Sequence, residues 1–299
     1  MSEEQLRFRY TTDGNWYKGN THLHSTASDG GKTFAELAGM YAGAGYDFLF
    51  RADHWVCSDV VADGEGFPLL WLDGVELDAR DTGGVYYHVV CLGTFTGITR
   101  EMGLVPAMMA ARKQGGLLIL AHPQWTGNTF DDALRWDFDG VEVYNHVCQW
   151  LNGKGGARAY WNAMLVQQPR TLGLACDDAH LRPEHPGWNG GWIVVNAPEL
   201  SRPAVMNAIR AGNFYSSTGP DFHTISCDGD RVVIETSPVQ FARLVGPAYR
   251  GARIGGFEGQ MFTAATFDIQ PEWTYAYLEI EDADGHRAWT NTLRVDSKR

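Results

Sequence analysis

Through the first two-thirds of the chain, short runs of consecutive apolar residues alternate with segments whose apolar positions recur every three or four residues. The apolar runs at 46–54, 69–76, 88–92, 117–122, 140–145, 171–178 and 191–195 predict buried strands. His22 ends a further strand-like piece. Helix signals fall between the runs. Thr33-Phe-Ala-Glu36 reads as a capping box opening a helix that ends at Gly43 and Gly45. Residues 106–114 predict a helix stopped by Gly115-Gly116, residues 156–168 one closed by Pro169, and Ser201 caps one ending at Gly212. Repeated strand–helix units predict an α/β fold with a parallel sheet, open or closed into a barrel.

After Pro220 the pattern becomes strand-only. Residues 231–235, 241–245, 261–269 and 273–280 predict strands, and Asp282-Ala-Asp-Gly285 a turn before a last strand at 286–289. We therefore divide the chain into residues 1–220, an α/β part, and 221–299, a small all-β sandwich. The sandwich core is expected to use alternating residues of 231–235 and 273–280. No repeat or low-complexity linker separates the two, so they are expected to pack together.

Composition narrows the function. The 299 residues can bury a full core. Asp and Glu outnumber Lys and Arg by 36 to 24, a net charge of −12, which opposes binding of a nucleic acid polymer. The five cysteines are scattered and odd in number, and read as reduced thiols. The start, MSEEQLRFRY, lacks the apolar core of a signal peptide, and no apolar run is long enough to span a bilayer. A cytoplasmic enzyme acting on a small molecule, away from membranes, is the expectation. Oligomeric state is left open.

The chemistry-bearing residues gather at strand ends. His22 and His24 are separated by one residue, so on an extended segment both imidazoles share a face. Asp178 and His180 repeat that spacing. His54 and His122 each end an apolar run, and Glu76 ends another, where a carboxylate needs a partner. Histidine and carboxylate are the ligands of divalent metals, and a pair of adjacent ions needs a carboxylate able to bridge them, a role Glu76 fits. Sites assembled from the C-terminal ends of several strands favour a barrel over an open doubly wound sheet. No GxGxxG or GxxxxGK[ST] loop is present.

His22-Leu-His24, Ala52-Asp53-His54, Glu76 with His88, Ala121-His122-Pro123 and Asp178-Ala-His180 resemble the ordered motifs of the PHP (polymerase and histidinol phosphatase) domain, over about residues 18–220. The resemblance implies a distorted seven-stranded (β/α) barrel holding two or three ions of Zn, Mn or Fe and hydrolysing phosphate esters. It implies a first ion on His22, His24, Glu76 and Asp178, a second on Glu76, His88 and His122, and a third on Asp29, His54 and His180. Many members carry His where this chain has Asp29. Asn213-Phe-Tyr-Ser-Ser-Thr-Gly-Pro220 and the turn around Asp282–Trp289 resemble a subgroup that includes carbaryl hydrolases, which cleave a carbamate.

The leading expectation is thus a metal-dependent hydrolase of a small-molecule ester, a phosphoesterase before a carboxyl-ester or carbamate hydrolase, with a non-catalytic metal-binding scaffold as the contrasting class. His54, Asp178 and His180 are the candidates for moving the leaving-group proton. His146, His185, His223 and His286 read as structural histidines, and Cys176 as a core residue. Asp53 is expected to orient a histidine ligand, and Asp177 is the weaker rival of Asp178. Glu142 and Asn145 either face the pocket or close the barrel, and Arg182 either holds an anionic substrate or lies on the surface. Trp55, Trp125 and Trp188 are candidate walls of a pocket for a small organic substrate.

Overall fold

The computed structural model describes residues 12–59, 66–228 and 230–293, with Asp228 described in its backbone only; the polar N-terminal start lies outside them. The first part contains β1 (Asn15–Asn20), α1 (Phe34–Gly43), β2 (Phe48–Phe50), β3 (Leu70–Leu72), β4 (Gly74–Arg80), β5 (Tyr86–Leu92), α2 (Leu104–Lys113), β6 (Leu117–Leu120), α3 (Pro123–Thr126), α4 (Phe130–Arg135), β7 (Gly140–Asn145), α5 (His146–Asn152), α6 (Arg158–Gln167), β8 (Leu172–Cys176), β9 (Trp192–Ala197), α7 (Arg202–Ala211) and β10 (Phe214–Ser217). The helix starts follow local chemistry. Thr33 accepts from the Glu36 N–H while the Glu36 side chain takes the Thr33 N–H, closing the capping box. Ser201 caps α7, which stops at Gly212 in the left-handed conformation.

The strands form sheets of nine, five and three. β1, β2 and β3 are parallel, but β9 runs antiparallel to β1. In the five-stranded sheet β6, β7 and β8 are parallel, whereas β4 and β5 form an antiparallel hairpin. The expected closed (β/α)7 barrel is therefore not present as a continuous ladder among the described residues. Two features open it. The apolar run at 69–76 is broken at Asp73 into β3 and β4, which lie in different sheets, and β4 then pairs with an antiparallel neighbour. The nine- and five-stranded sheets still meet through two isolated parallel bridges, Leu23 with Ala179 and His54 with Glu76. Both bridges carry or flank the residues singled out above.

The tail contains β11 (Phe222–Asp228), β12 (Arg231–Val239), β13 (Phe241–Val245), β14 (Gly251–Gly255), β15 (Phe262–Asp268), β16 (Tyr277–Glu281) and β17 (Arg287–Thr290). β11, β12 and β15 form the three-stranded sheet, while β13, β14, β16 and β17 extend the nine-stranded sheet across residue 220 by pairing β17 with β10. β12 alternates as expected, with Val232 and Ile234 inward. β16 does not, because both of its faces are covered. Leu278 and Ile280 pack with Val232, Ile234 and Phe267, whereas Tyr277 packs into the first part with Trp161 and Leu165. The Trp161 ring lies 4.5 Å from that of Tyr277, and its indole donates to the Thr171 carbonyl at 2.8 Å. Gly173 makes the room, since a Cβ there would lie 2.8 Å from the indole.

A polar tie runs alongside. Buried Glu279 accepts from Arg158 of α6, from Arg243 at 2.9 Å and from Trp289 Nε1 at 2.8 Å. Ending the chain at 220 strips β10 of β17 and exposes the apolar residues facing β16, so a 1–220 fragment should be insoluble or lack a cooperative melt. Expression and thermal denaturation of that fragment check this; a soluble, cooperatively melting 1–220 would show that the tail is not part of the same folding unit.

Candidate metal centre

Beyond Asn20 the chain stays extended. His24 N–H donates to the Ala179 carbonyl and Asp178 N–H to the His22 carbonyl, each at 2.9 Å, while Ala52 N–H reaches the Leu23 carbonyl at 3.2 Å. Leu23 turns into an apolar cluster with Leu37, Tyr41 and Leu49, so His22 and His24 face the opposite way together. Asp29 is brought back over them by a tight loop. At Gly30 a Cβ would fall 2.2 Å from the His24 carbonyl oxygen, and at Gly31 one would fall 2.5 Å from that of Leu181. Asp53 holds this loop, accepting from the Ser25 and Ser28 N–H and hydroxyl groups at 2.6–3.1 Å. Asp53 thus positions a loop and not a histidine ring, which corrects the sequence reading.

All nine candidate residues converge in three overlapping groups: His22, His24, Glu76 and Asp178; Glu76, His88 and His122; His24, Asp29, His54 and His180. In the first group His22 Nε2 and His24 Nε2 are 3.1 Å apart, and each lies 3.1–3.2 Å from Glu76 Oε2 and Asp178 Oδ1. A tetrahedral ion with N and O ligands at about 2.0–2.1 Å has edges of roughly 3.3–3.4 Å, so this spacing fits one. In the second group Glu76 Oε1 is 2.7 Å from His88 Nδ1 and 3.5 Å from His122 Nε2. Its two oxygens therefore face different groups. In the third, Asp29 lies 3.3 Å from His180 Nε2, 3.6 Å from His24 Nδ1 and 4.0 Å from His54 Nε2. His24 Nδ1 is buried and has no hydrogen-bond partner, an orphan that donor chemistry alone does not explain.

The rings are held from behind. His22 Nδ1 meets Glu142 at 2.7 Å, His180 Nδ1 meets the Asp178 carbonyl at 2.9 Å, and His122 Nδ1 meets Thr126 Oγ1 at 3.0 Å, which leaves each Nε2 facing the cluster. Glu142 also accepts from His122 N–H at 2.9 Å and Asn145 Nδ2 at 3.0 Å, and Asn145 reaches Asp178 at 3.2 Å. Both residues left open by the sequence thus face the cluster. Asp78 was not singled out; it meets His54 Nδ1 at 3.2 Å and is itself held by Trp55, Tyr86 and Arg100. Its signal was present, since it lies two residues beyond Glu76 on the same face of β4. Asp177 points away and takes N–H groups of Asn189, Gly190 and Gly191. His122 and Asp178 have positive φ of 27° and 57°, a conformation that costs about 1–3 kcal/mol outside glycine and turns both side chains inward.

Arg182 sits at the edge, 3.9 Å from Asp29. Trp125 packs on His122 and His88, with ring centroids at 5.2 and 5.9 Å, but Trp188 packs on Tyr41 instead. His22, His24 and Glu76 are buried, whereas Asp29 and His54 are 38% and 20% exposed at the side chain, so the third group is the open one. His146 lies beside Tyr144, His185 beside His180, His286 pairs with Asp282, and the carbonyl of His223 takes the Trp16 indole N–H. Cys57, Cys91, Cys148 and Cys176 are free thiols, and no helix among the described residues is long and apolar enough to cross a membrane.

The electrostatics express a demand for positive charge. Burial by itself lowers His24, but hydrogen bonds to Asp178 and Glu76 outweigh it and push the imidazole up to about 9. His22 is raised well above the ordinary range against its burial by Asp178, Glu76 and Glu142. Burial favours the neutral form of Glu76, yet His22, His88 and His54 hold it well below the usual carboxylate range. Protons here stand where divalent cations fit.

Comparison with models of protein families gives no match, and comparison with curated proteins gives none. Among solved structures, a two-domain protein containing a predicted PHP-like metal-dependent phosphoesterase from Bacteroides vulgatus shares the fold, with a TM-score of 0.56 over 98% of this chain and 99% of its own, at 15% identity. An amidohydrolase from Chromobacterium violaceum gives a TM-score of 0.40 over 64% of this chain and 96% of its own, at 15% identity, too weak a likeness to bear on the fold.

The raised histidines give a signed expectation. At pH 7 His24, at about 9, carries a proton that a cation must displace. Zinc binding should therefore release protons at pH 7, and its affinity should rise with pH through about 9. Calorimetry in buffers of different ionisation enthalpy measures this directly; pH-independent affinity without proton release would contradict it.

Proposed function

We propose that the chain is a metal-dependent hydrolase of a small-molecule ester, with phosphoesters as the substrate class. The observation that carries the reading is Glu76, buried with each carboxylate oxygen turned to a different set of histidines. On this reading His22, His24, Glu76 and Asp178 hold one ion, Glu76, His88 and His122 a second, and Asp29, His54 and His180 a third, the metals being Zn, Mn or Fe. Ions so held supply an activated water near neutral pH and polarise the scissile P=O or C=O group. The two sheets that meet at the centre are then the opened halves of a distorted PHP-type barrel. Support comes from the shared fold with the Bacteroides vulgatus protein, which contains a predicted PHP-like metal-dependent phosphoesterase.

The chain's own residues divide the remaining work. Glu142 and Thr126 fix the rings of His22 and His122, and the Asp78 carboxylate lies 3.2 Å from His54 Nδ1. Asp178 is held ionised below the carboxylate range by His22, His24 and His180 against its burial, which suits a ligand better than a proton donor. His54 and His180 stand on the open side; with the third ion bound they would hold it, and only without it are they placed to pass a proton to a departing alcohol. Trp125 and Trp55 flank the cluster and give a small organic leaving group an apolar wall.

Turnover of p-nitrophenyl phosphate, bis-p-nitrophenyl phosphate and a 1-naphthyl carbamate with added Mn²⁺ tests the reading. One of the phosphoesters should be hydrolysed, and Glu76→Gln should lower turnover about 100-fold or more with the fold kept. Carbamate turnover alone would move the chemistry to carboxyl-type esters. No turnover of any of them by metal-loaded protein would favour a scaffold, and full activity of Glu76→Gln would remove its bridging role.

A further inference from the structure

A second constellation lies away from the histidine cluster, where α6 meets β16 and β17. Three guanidiniums and two carboxylates are linked in a chain: Arg158 to Glu279, Arg243 to Glu279 and Glu281, and Arg287 to Glu281. Glu279 is buried and Glu281 largely so. Three positive charges on two negative ones leave one cation uncompensated within the network, in a chain whose net charge is −12. Arg158 and Arg287, 41% and 37% exposed at the side chain, keep guanidinium donors free to meet an anion.

The excess faces a cavity of about 550 Å³ between the two parts of the chain, and none of the nine cluster residues lines it. Its polar lining is almost wholly donor. Arg158 spends one amino group on Glu279, and Arg287 spends Nε on Glu281; no further side-chain acceptor meets either guanidinium among the described residues. Asn162 uses its oxygen on the Tyr277 hydroxyl and Gln149 uses its oxygen on Gly155 N–H, which leaves both amide nitrogens. No carboxylate is among the lining residues.

The helix geometry adds an independent contribution. Of the lining residues, Arg158 and Ala159 begin α6 and Gly156 lies just before its N-cap. Its N-cap is Ala157, which gives no side-chain cap, and no acidic residue lies in the first turn. α1, α4 and α7 have a Thr or Ser cap at this place. Arg158 and Ala159, the first two residues of α6, thus place the positive end of the helix beside the same cavity. Trp289 and Tyr144 supply flat apolar wall.

We infer that this cavity is a binding site for a small organic oxyanion, a carboxylate or phosphate carried on a flat apolar body. The anion is held by Arg158, Arg287 and the start of α6, with Gln149 and Asn162 donating at its edges and the body against Trp289. Planar guanidinium forks suit both oxyanions, and the volume suits a ligand of this size. The inference does not depend on the hydrolase reading.

Calorimetric titration of the full chain, in chelator so that anions do not report on metals, tests it with three probes: phenylphosphonate, benzoate and uncharged benzamide. One of the two anions should bind saturably with one site per chain, and benzamide should not. Arg287→Gln should weaken binding about tenfold or more. Gln149→Glu keeps the acceptor for Gly155 N–H on an exposed helix face, so it should melt as the parent does, and its added charge should weaken binding by a similar factor. Which anion binds more tightly identifies the preferred oxyanion. Binding unchanged in both variants, benzamide binding as tightly, or no saturable binding of either anion to about 10 mM would overturn the site.

Discussion

Five imidazoles meet one buried carboxylate. His22, His24 and His54 approach one oxygen of Glu76 within 3.3 Å, and His88 and His122 approach the other at 2.7 and 3.5 Å. An ionised carboxylate in such a place is strongly unfavourable without positive charge around it. The histidines come from four separate segments, so satisfying Glu76 forces those segments together. The seams between the nine- and five-stranded sheets lie where this happens: the His54–Glu76 bridge is one, and Leu23–Ala179, between His22 and His24 on one side and Asp178 and His180 on the other, is the second.

A ligand atom aimed at the centre is useful only if its ring cannot turn. The structure meets that with a second layer that is itself tied to secondary structure. Glu142 sits in β7 and reaches both His22 and the His122 backbone; Asn145 ends β7, caps α5 through Cys148 N–H and touches Asp178. Asp177 and Asp178, adjacent in sequence, point opposite ways, one tying down the loop at 189–191 and the other completing the cluster. Asp178 itself takes the left-handed backbone, with φ of 57°. Strain at His122 and Asp178 is offset by the hydrogen bonds and ionic contacts their side chains gain.

How much of this was legible follows from which physics is local. Spacing of two on an extended chain is local, so His22 with His24 and Asp178 with His180 could be read as pairs, and the ends of apolar runs located Glu76 and His122. The caps at Thr33 and Ser201 were equally local. Strand direction is not: β5 and β9 read as ordinary apolar runs, and only their tertiary neighbours make them antiparallel. The same holds for β16, where alternation fails because one face meets Val232, Ile234 and Phe267 and the other Trp161. Glu142 was ambiguous because a carboxylate within Val-Glu-Val gives no sign of which layer covers it. Asp53 turns to the face opposite His54, as successive residues of an extended chain do, and so meets Ser25 and Ser28 and no histidine ring.

The tail contributes strands to the sheet that begins at the centre, so the two parts share hydrogen-bonded structure from β14 to β3. The central claim nevertheless concerns Glu76 as a carboxylate shared between cations. Anomalous scattering from crystals grown with manganese tests it most directly. The account predicts at least two peaks, each at about 2.0–2.3 Å from a different oxygen of Glu76, with His22 and His24 on one and His88 and His122 on the other. A single peak, or none, beside an otherwise unchanged cluster would contradict it.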